Sequence, residues 1–101
     1  MRKDDVIENI ILMVRGEKVI LDSDLAKHYG VPINKLKEQV KKNRARFSKD
    51  LMFQLKTKEK AEVSEIYDHL SDLMDSKTRP YAFTQQGAIM AAEVLNNMRT
   101  S

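Results

Sequence analysis

Leu25-Ala26-Lys27-His28-Tyr29-Gly30-Val31-Pro32-Ile33-Asn34-Lys35-Leu36 is the stretch that decides the fold of this chain. Leu25, Ala26 and Tyr29 share one face of a helix expected from Ser23 to Tyr29, with Asp22 placed as its N-cap. Gly30 supplies a left-handed stop, and Val31-Pro32 crosses a tight turn. A second helix is expected from Ile33 to about Ala45, with Ile33, Leu36, Val40 and Phe47 in one apolar stripe. Two crossing helices need a small residue at their closest approach, here Ala26, and a turn residue that tolerates positive φ, here Gly30. Both requirements of a helix-turn-helix are met.

Upstream, the β-branched run Ile10 to Val14, the turn Arg15-Gly16-Glu17 and the return Lys18 to Leu21 read as a β-hairpin, with a short helical turn near Asp4 or Asp5 before it. Downstream, Leu51 to Leu55 has the composition of a short buried strand, and Thr57 is placed to cap a helix from about Lys58 to Met74. Asp75 to Arg79 reads as a loop and Pro80 to Phe83 as a short strand. Thr84 is placed to cap a last helix to about Met98. That helix has no clear stop signal, so a longer protein with an effector or assembly region downstream is expected. The 101 residues suffice for a small single domain with one modest core, not two.

Hydrophobic residues make up 42 % of the chain and charged residues 33 %, the balance of a globular chain with a highly charged surface. The net charge is +3, but Lys27 to Lys60 holds eleven basic residues against Glu38, Asp50 and Glu59; that segment carries +8 and the rest −5. One face is thereby positive, as suits a polyanion partner. There is no cysteine, which excludes disulfides, thiolate metal sites and a cysteine nucleophile. The longest apolar run falls far short of the roughly 18 residues of a membrane span, so no membrane association and a cytoplasmic location are expected. His69 with Asp68 and Asp72 lacks a third metal ligand, and no nucleophile motif or glycine-rich phosphate loop exists. Neither an enzyme nor a cofactor is expected. Met52, Met74 and Met90 fall on apolar stripes and read as core.

Opposite its apolar stripe the second helix carries Asn34, Lys35, Glu38, Lys41 and Lys42, with Lys37 and Gln39 on the flanks. Asn and Gln can pair bidentately with adenine, Lys with guanine acceptors or phosphate, and Glu with the cytosine amino group. This mixture points to sequence-specific binding of double-stranded DNA. The candidate base readers are Asn34, Lys37, Glu38 and Gln39. The candidate phosphate contacts are Lys35, Lys41, Lys42, Asn43, Arg44 and Arg46, with Lys49 extending the surface. The hairpin tip, Arg15 to Lys18, reads either as a wing against the DNA backbone or as a plain surface turn. Two further partners fit the pattern: an acidic regulatory protein on the same basic face, and a second copy in a homodimer, since one small reader covers few base pairs.

Arg15-Gly16-Glu17-Lys18-Val19-Ile20-Leu21-Asp22, Leu25-Ala26-Lys27-His28-Tyr29-Gly30-Val31, Glu38-Gln39-Val40-Lys41-Lys42-Asn43, Arg46-Phe47, Met52-Phe53-Gln54-Leu55 and Pro80-Tyr81-Ala82-Phe83-Thr84-Gln85-Gln86-Gly87 together resemble a known family. It is the KilA-N type of DNA-binding domain from phages, prophages and large DNA viruses, in the branch named for the amino-terminal domain of a phage open reading frame. The resemblance spans about residues 10 to 98. It implies a compact α+β domain, DNA binding, a role in phage regulation such as antirepression, and a separate module following the domain. Within Pro80 to Gly87, Tyr81 and Phe83 read as core anchors.

Overall fold

The computed structural model describes residues 10–67, 69–70, 73, 77 and 79–100, for 97–100 the backbone alone. The expected helical turn near Asp4 and Asp5 lies outside these residues.

A two-residue turn starts the sheet. Strand β1 (Leu12–Val14) pairs antiparallel with β2 (Glu17–Leu21), with Leu12 opposite Val19 and Val14 opposite Glu17. Arg15 and Gly16, both at positive φ (55° and 76°), form the whole turn. That is the hairpin geometry whose twist matches the strands, so Glu17 belongs to β2 rather than to the expected three-residue turn. Strand β3 (Met52–Gln54) and strand β4 (Tyr81–Thr84) complete a four-stranded antiparallel sheet of order β1-β2-β4-β3. The expected α+β class is the observed one.

Neighbouring residues of a strand face opposite sides, and this chain uses both sides. Ile20, Met52 and Phe83 face a core built with Leu25, Leu36, Val40, Ala91 and Val94. Val19, Leu21, Phe53 and Ala82 face a second core with Leu12, Leu55, Val63 and Leu70. The expectation of a single core is therefore corrected. Because helices cover both faces of one sheet, a short chain supports two apolar clusters joined at β4.

Helix α1 (Asp22–Tyr29), helix α2 (Ile33–Lys42) and helix α4 (Gln85–Thr100) cover the first face, and helix α3 (Thr57–Ile66) the second. Asp22 is the first residue of α1, not its N-cap. Its carboxylate accepts from the Ser23 amide at 2.8 Å and the Tyr81 amide at 3.3 Å, tying the helix start to β4. Helix α3 begins one residue before the expected Lys58, and its entry is closed by Glu59, which accepts from the Lys56 amide at 2.8 Å. It ends at Ile66 rather than Met74. Tyr67 is extended (φ −109°, ψ 111°), which turns its hydroxyl to accept from the Met13 amide of β1 at 3.0 Å, and Leu70 joins the second core.

The Thr84 cap of α4 forms as expected: its hydroxyl oxygen accepts from the Gly87 amide at 3.2 Å. The same hydroxyl and the Thr84 amide both lie within hydrogen-bond reach of the Leu51 carbonyl. Gly87 sits so close to that carbonyl that a Cβ would overlap it. Residues 48–51 are thereby clamped to the start of α4. Met52 is buried and Met90 partly buried against the first core, as expected, while Met74 lies outside the described residues.

Candidate nucleic-acid interface

The turn between α1 and α2 is built by hydrogen bonds that only a left-handed residue allows. Gly30 has φ 69° and ψ 34°; its amide donates to the Lys27 carbonyl, and the Val31 amide reaches back to Ala26 at 3.0 Å. This double closure satisfies the last carbonyls of α1 and reverses the chain within three residues. The Pro32 carbonyl then accepts from Lys35 and Leu36, opening α2. Leu25, Ala26, Leu36 and Val40 are buried between the two helices and the sheet. The Tyr29 hydroxyl donates to the Ala88 carbonyl at 2.8 Å, which fastens α1 to α4.

With Leu36 and Val40 buried, the opposite side of α2 is left to solvent. Asn34, Lys35, Lys37, Glu38, Lys41 and Lys42 are all exposed, and Gln39 is half-buried on the flank. Helix α2 ends at Lys42 rather than at the expected Ala45. The Asn43 side-chain amide donates to the Gln39 carbonyl at 2.7 Å, and the chain tightens into a 3₁₀ turn, Arg44–Arg46. That departure from the helix carries Phe47 into the core, edge-on to Phe83 with ring centroids 6.1 Å apart. Arg44 and Arg46 stay exposed, so eight of the ten candidate residues lie on open surface while Gln39 and Asn43 are partly covered.

Glu38 and Lys42, one helical turn apart, form an ion pair at 3.1 Å. The hydrogen bond and charge of Lys42 hold the Glu38 carboxyl below its ordinary value. At neutral pH Glu38 is an acceptor only, already shared with a cation that must be released or kept if either group meets a ligand.

At the hairpin tip, Arg15 is engaged within the protein. Its guanidinium makes two hydrogen bonds to Glu59, at 2.7 and 2.9 Å, and lies 4.2 Å from the centroid of the Phe53 ring. The bond to Arg15 is the main reason the Glu59 carboxyl is held down at about 2. The tip is thus a pinned turn, and its arginine is directed at α3 rather than outward.

Sequence reasoning missed an open cleft of about 400 Å³ beside α2, with Lys37, Lys41 and Arg44 on one bank and Arg79 on the other. Tyr81, Met52 and Phe83 line its floor. At its base is Asp22, 3 % exposed, whose carboxyl is raised by burial against the opposing pull of the Tyr81 amide and Lys37. Arg79 and Gln54 reach this site through the β3–β4 pairing, and the Gln54 side chain donates to the Arg79 carbonyl at 3.1 Å. No local motif announces a contact that depends on strand pairing.

His69 pairs with Asp24 of α1 at 3.1 Å, while Asp68 and Asp72 lie outside the described residues. Among the described residues no group of three or more His, Asp or Glu converges as a metal site, and no helix is long and apolar enough to cross a membrane.

A family model described as the ORF6N domain matches residues 9–94. No curated protein and no solved structure matches the chain.

Proposed function

The chain belongs to the ORF6N domain family, a phage-associated group, and from that premise we propose that it binds double-stranded DNA sequence-specifically through α1 and α2, as a phage or prophage regulator or antirepressor of KilA-N type. The observation that carries this reading is the exposed outer side of α2, four lysines, an asparagine and one glutamate on a helix whose other side is locked into the core. A helix held this way can enter a major groove without unpacking anything. Asn34 sits in its first turn, where base contacts are made, and Lys35, Lys41, Lys42, Arg44 and Arg46 supply phosphate neutralisation.

In this reading the protein is a binding module rather than an enzyme and acts in the cytoplasm. Asn43 supports the interface by closing α2 rather than by touching phosphate, and Gln39 reads only if its flank is reached. Selection from a random duplex library tests the proposal: wild-type protein should enrich one site, and Asn34→Ala should enrich a changed or degenerate one at little loss of total affinity. An enriched site identical in the two proteins removes Asn34 as a reader. A folded protein that enriches nothing and binds no duplex supports instead an acidic regulatory protein as the partner of this face.

A further inference from the structure

The cleft beside α2 does not end at Arg44. A second open cleft, of about 360 Å³, shares Arg44, Met52, Gln54 and Tyr81 with it and continues to Lys49 and Arg15. Through these shared residues the two form one trough that passes around β3, an edge strand of the sheet. Lys37, Lys41, Arg44, Arg79 and Lys49 stand along it with exposed side chains. Of the remaining charges, Arg15 is taken by Glu59, and Asp22 is buried with both oxygens accepting from backbone amides. An elongated, open channel of one sign suits an extended polyanion better than a compact ligand, which calls for enclosure.

The geometry points to a second DNA contact: the trough carries the sugar–phosphate backbone of one strand bordering the groove that α2 occupies, with Arg79 and Lys49 as phosphate contacts outside the helix-turn-helix. This rests on the DNA-binding reading above. Continuity supports it, because the trough begins on the flank of α2 that bears Lys37 and Lys41, where the bordering strand must pass. Preorganisation supports it as well: the Gln54 side chain fixes the Arg79 backbone against β3, so the guanidinium works from a held root.

The test is the salt dependence of duplex affinity for the wild type, Arg79→Gln, Lys49→Gln and the control Lys58→Gln. Lys58 is an exposed cation on α3 that lines neither cleft, and removing it makes the same change in net charge. Each trough substitution should lower the slope of log affinity against log salt by about 0.9, one phosphate contact, with the ranking of DNA sequences unchanged and the control at the wild-type slope. Wild-type slopes in both trough variants, or an equal fall in the control, overturn the trough while leaving DNA binding intact. A wild type with no duplex affinity sinks the DNA-binding reading, and the trough with it.

Discussion

At Gly87 the absence of a side chain is what lets α4 start against the Leu51 carbonyl, and that contact explains the Thr84 to Gly87 motif. Thr84 caps the helix and bonds the 48–51 segment, Gly87 permits the approach, and Gln85 and Gln86 between them are exposed. Gly87→Ala should cost about 1–3 kcal/mol, the range for overpacking a closed contact, read from urea midpoints. An alanine variant of wild-type stability would show that the clamp yields freely. Glu59 gives a pH signature. Its folded-state carboxyl is lowered from 4.5 to about 2, so the stability it contributes is complete above about 4.5 and is lost as pH falls towards 2. Glu59→Gln should therefore be less stable than wild type at pH 7, with the gap closing across that window in denaturation curves. A gap of constant size from pH 7 to 2 would remove the ion pair as its cause. The cap at Thr84 could be read in the sequence because capping is local. Asp22 could not, since its second oxygen is claimed by Tyr81, far away in the chain.

At the scale of elements, α1, α2 and the tight turn between them are the most legible part of the chain. Their signals, Ala26, Gly30 and the stripe through Leu36 and Val40, act within a few residues of one another. Gly30→Ala tests the turn. No atom lies within 4 Å of the added Cβ, so the cost is that of the left-handed backbone alone, about 1 kcal/mol; a much larger loss would mean the turn packs against something more. The ends of α2 and α3 fall short of the apolar periodicity for a shared reason. Periodicity continues past Lys42 and past Ile66, but Phe47 and Tyr67 reach their partners, Phe83 and the Met13 amide, only if the helix stops. The Glu38–Lys42 pair adds a prediction for α2. Glu38→Gln removes an anion from the proposed DNA face and frees Lys42, so duplex affinity should rise several-fold and the salt slope steepen by up to about 0.9, in fluorescence anisotropy titrations. A fall in affinity across all sequences would show that the pair acts as a unit in binding.

Across the whole molecule, charge follows architecture. Of the basic residues between Lys27 and Lys60, those from Lys35 to Lys49 lie on α2, the 3₁₀ turn and the segment after it, and strand pairing adds Arg79 to the same side. Lys56, Lys58 and Lys60 stand instead at the start of α3, on the other face of the sheet. The positive segment was visible in the sequence; the trough was not, because it exists only once β3 and β4 are paired. The longest extent of the molecule is 40 Å. At 3.4 Å per base pair the backbone of one copy spans about 12 base pairs, so hydroxyl-radical protection extending well beyond that length would point to at least two copies, the homodimer among them. The central claim, that the outer side of α2 holds duplex DNA, is tested most directly by a salt titration of random-duplex binding with wild type and the Lys41→Glu, Lys42→Glu variant, both shown to be folded. Steep, salt-dependent binding by the wild type that is lost in the variant is the predicted result; equal binding by the two proteins, or none by the wild type, contradicts it.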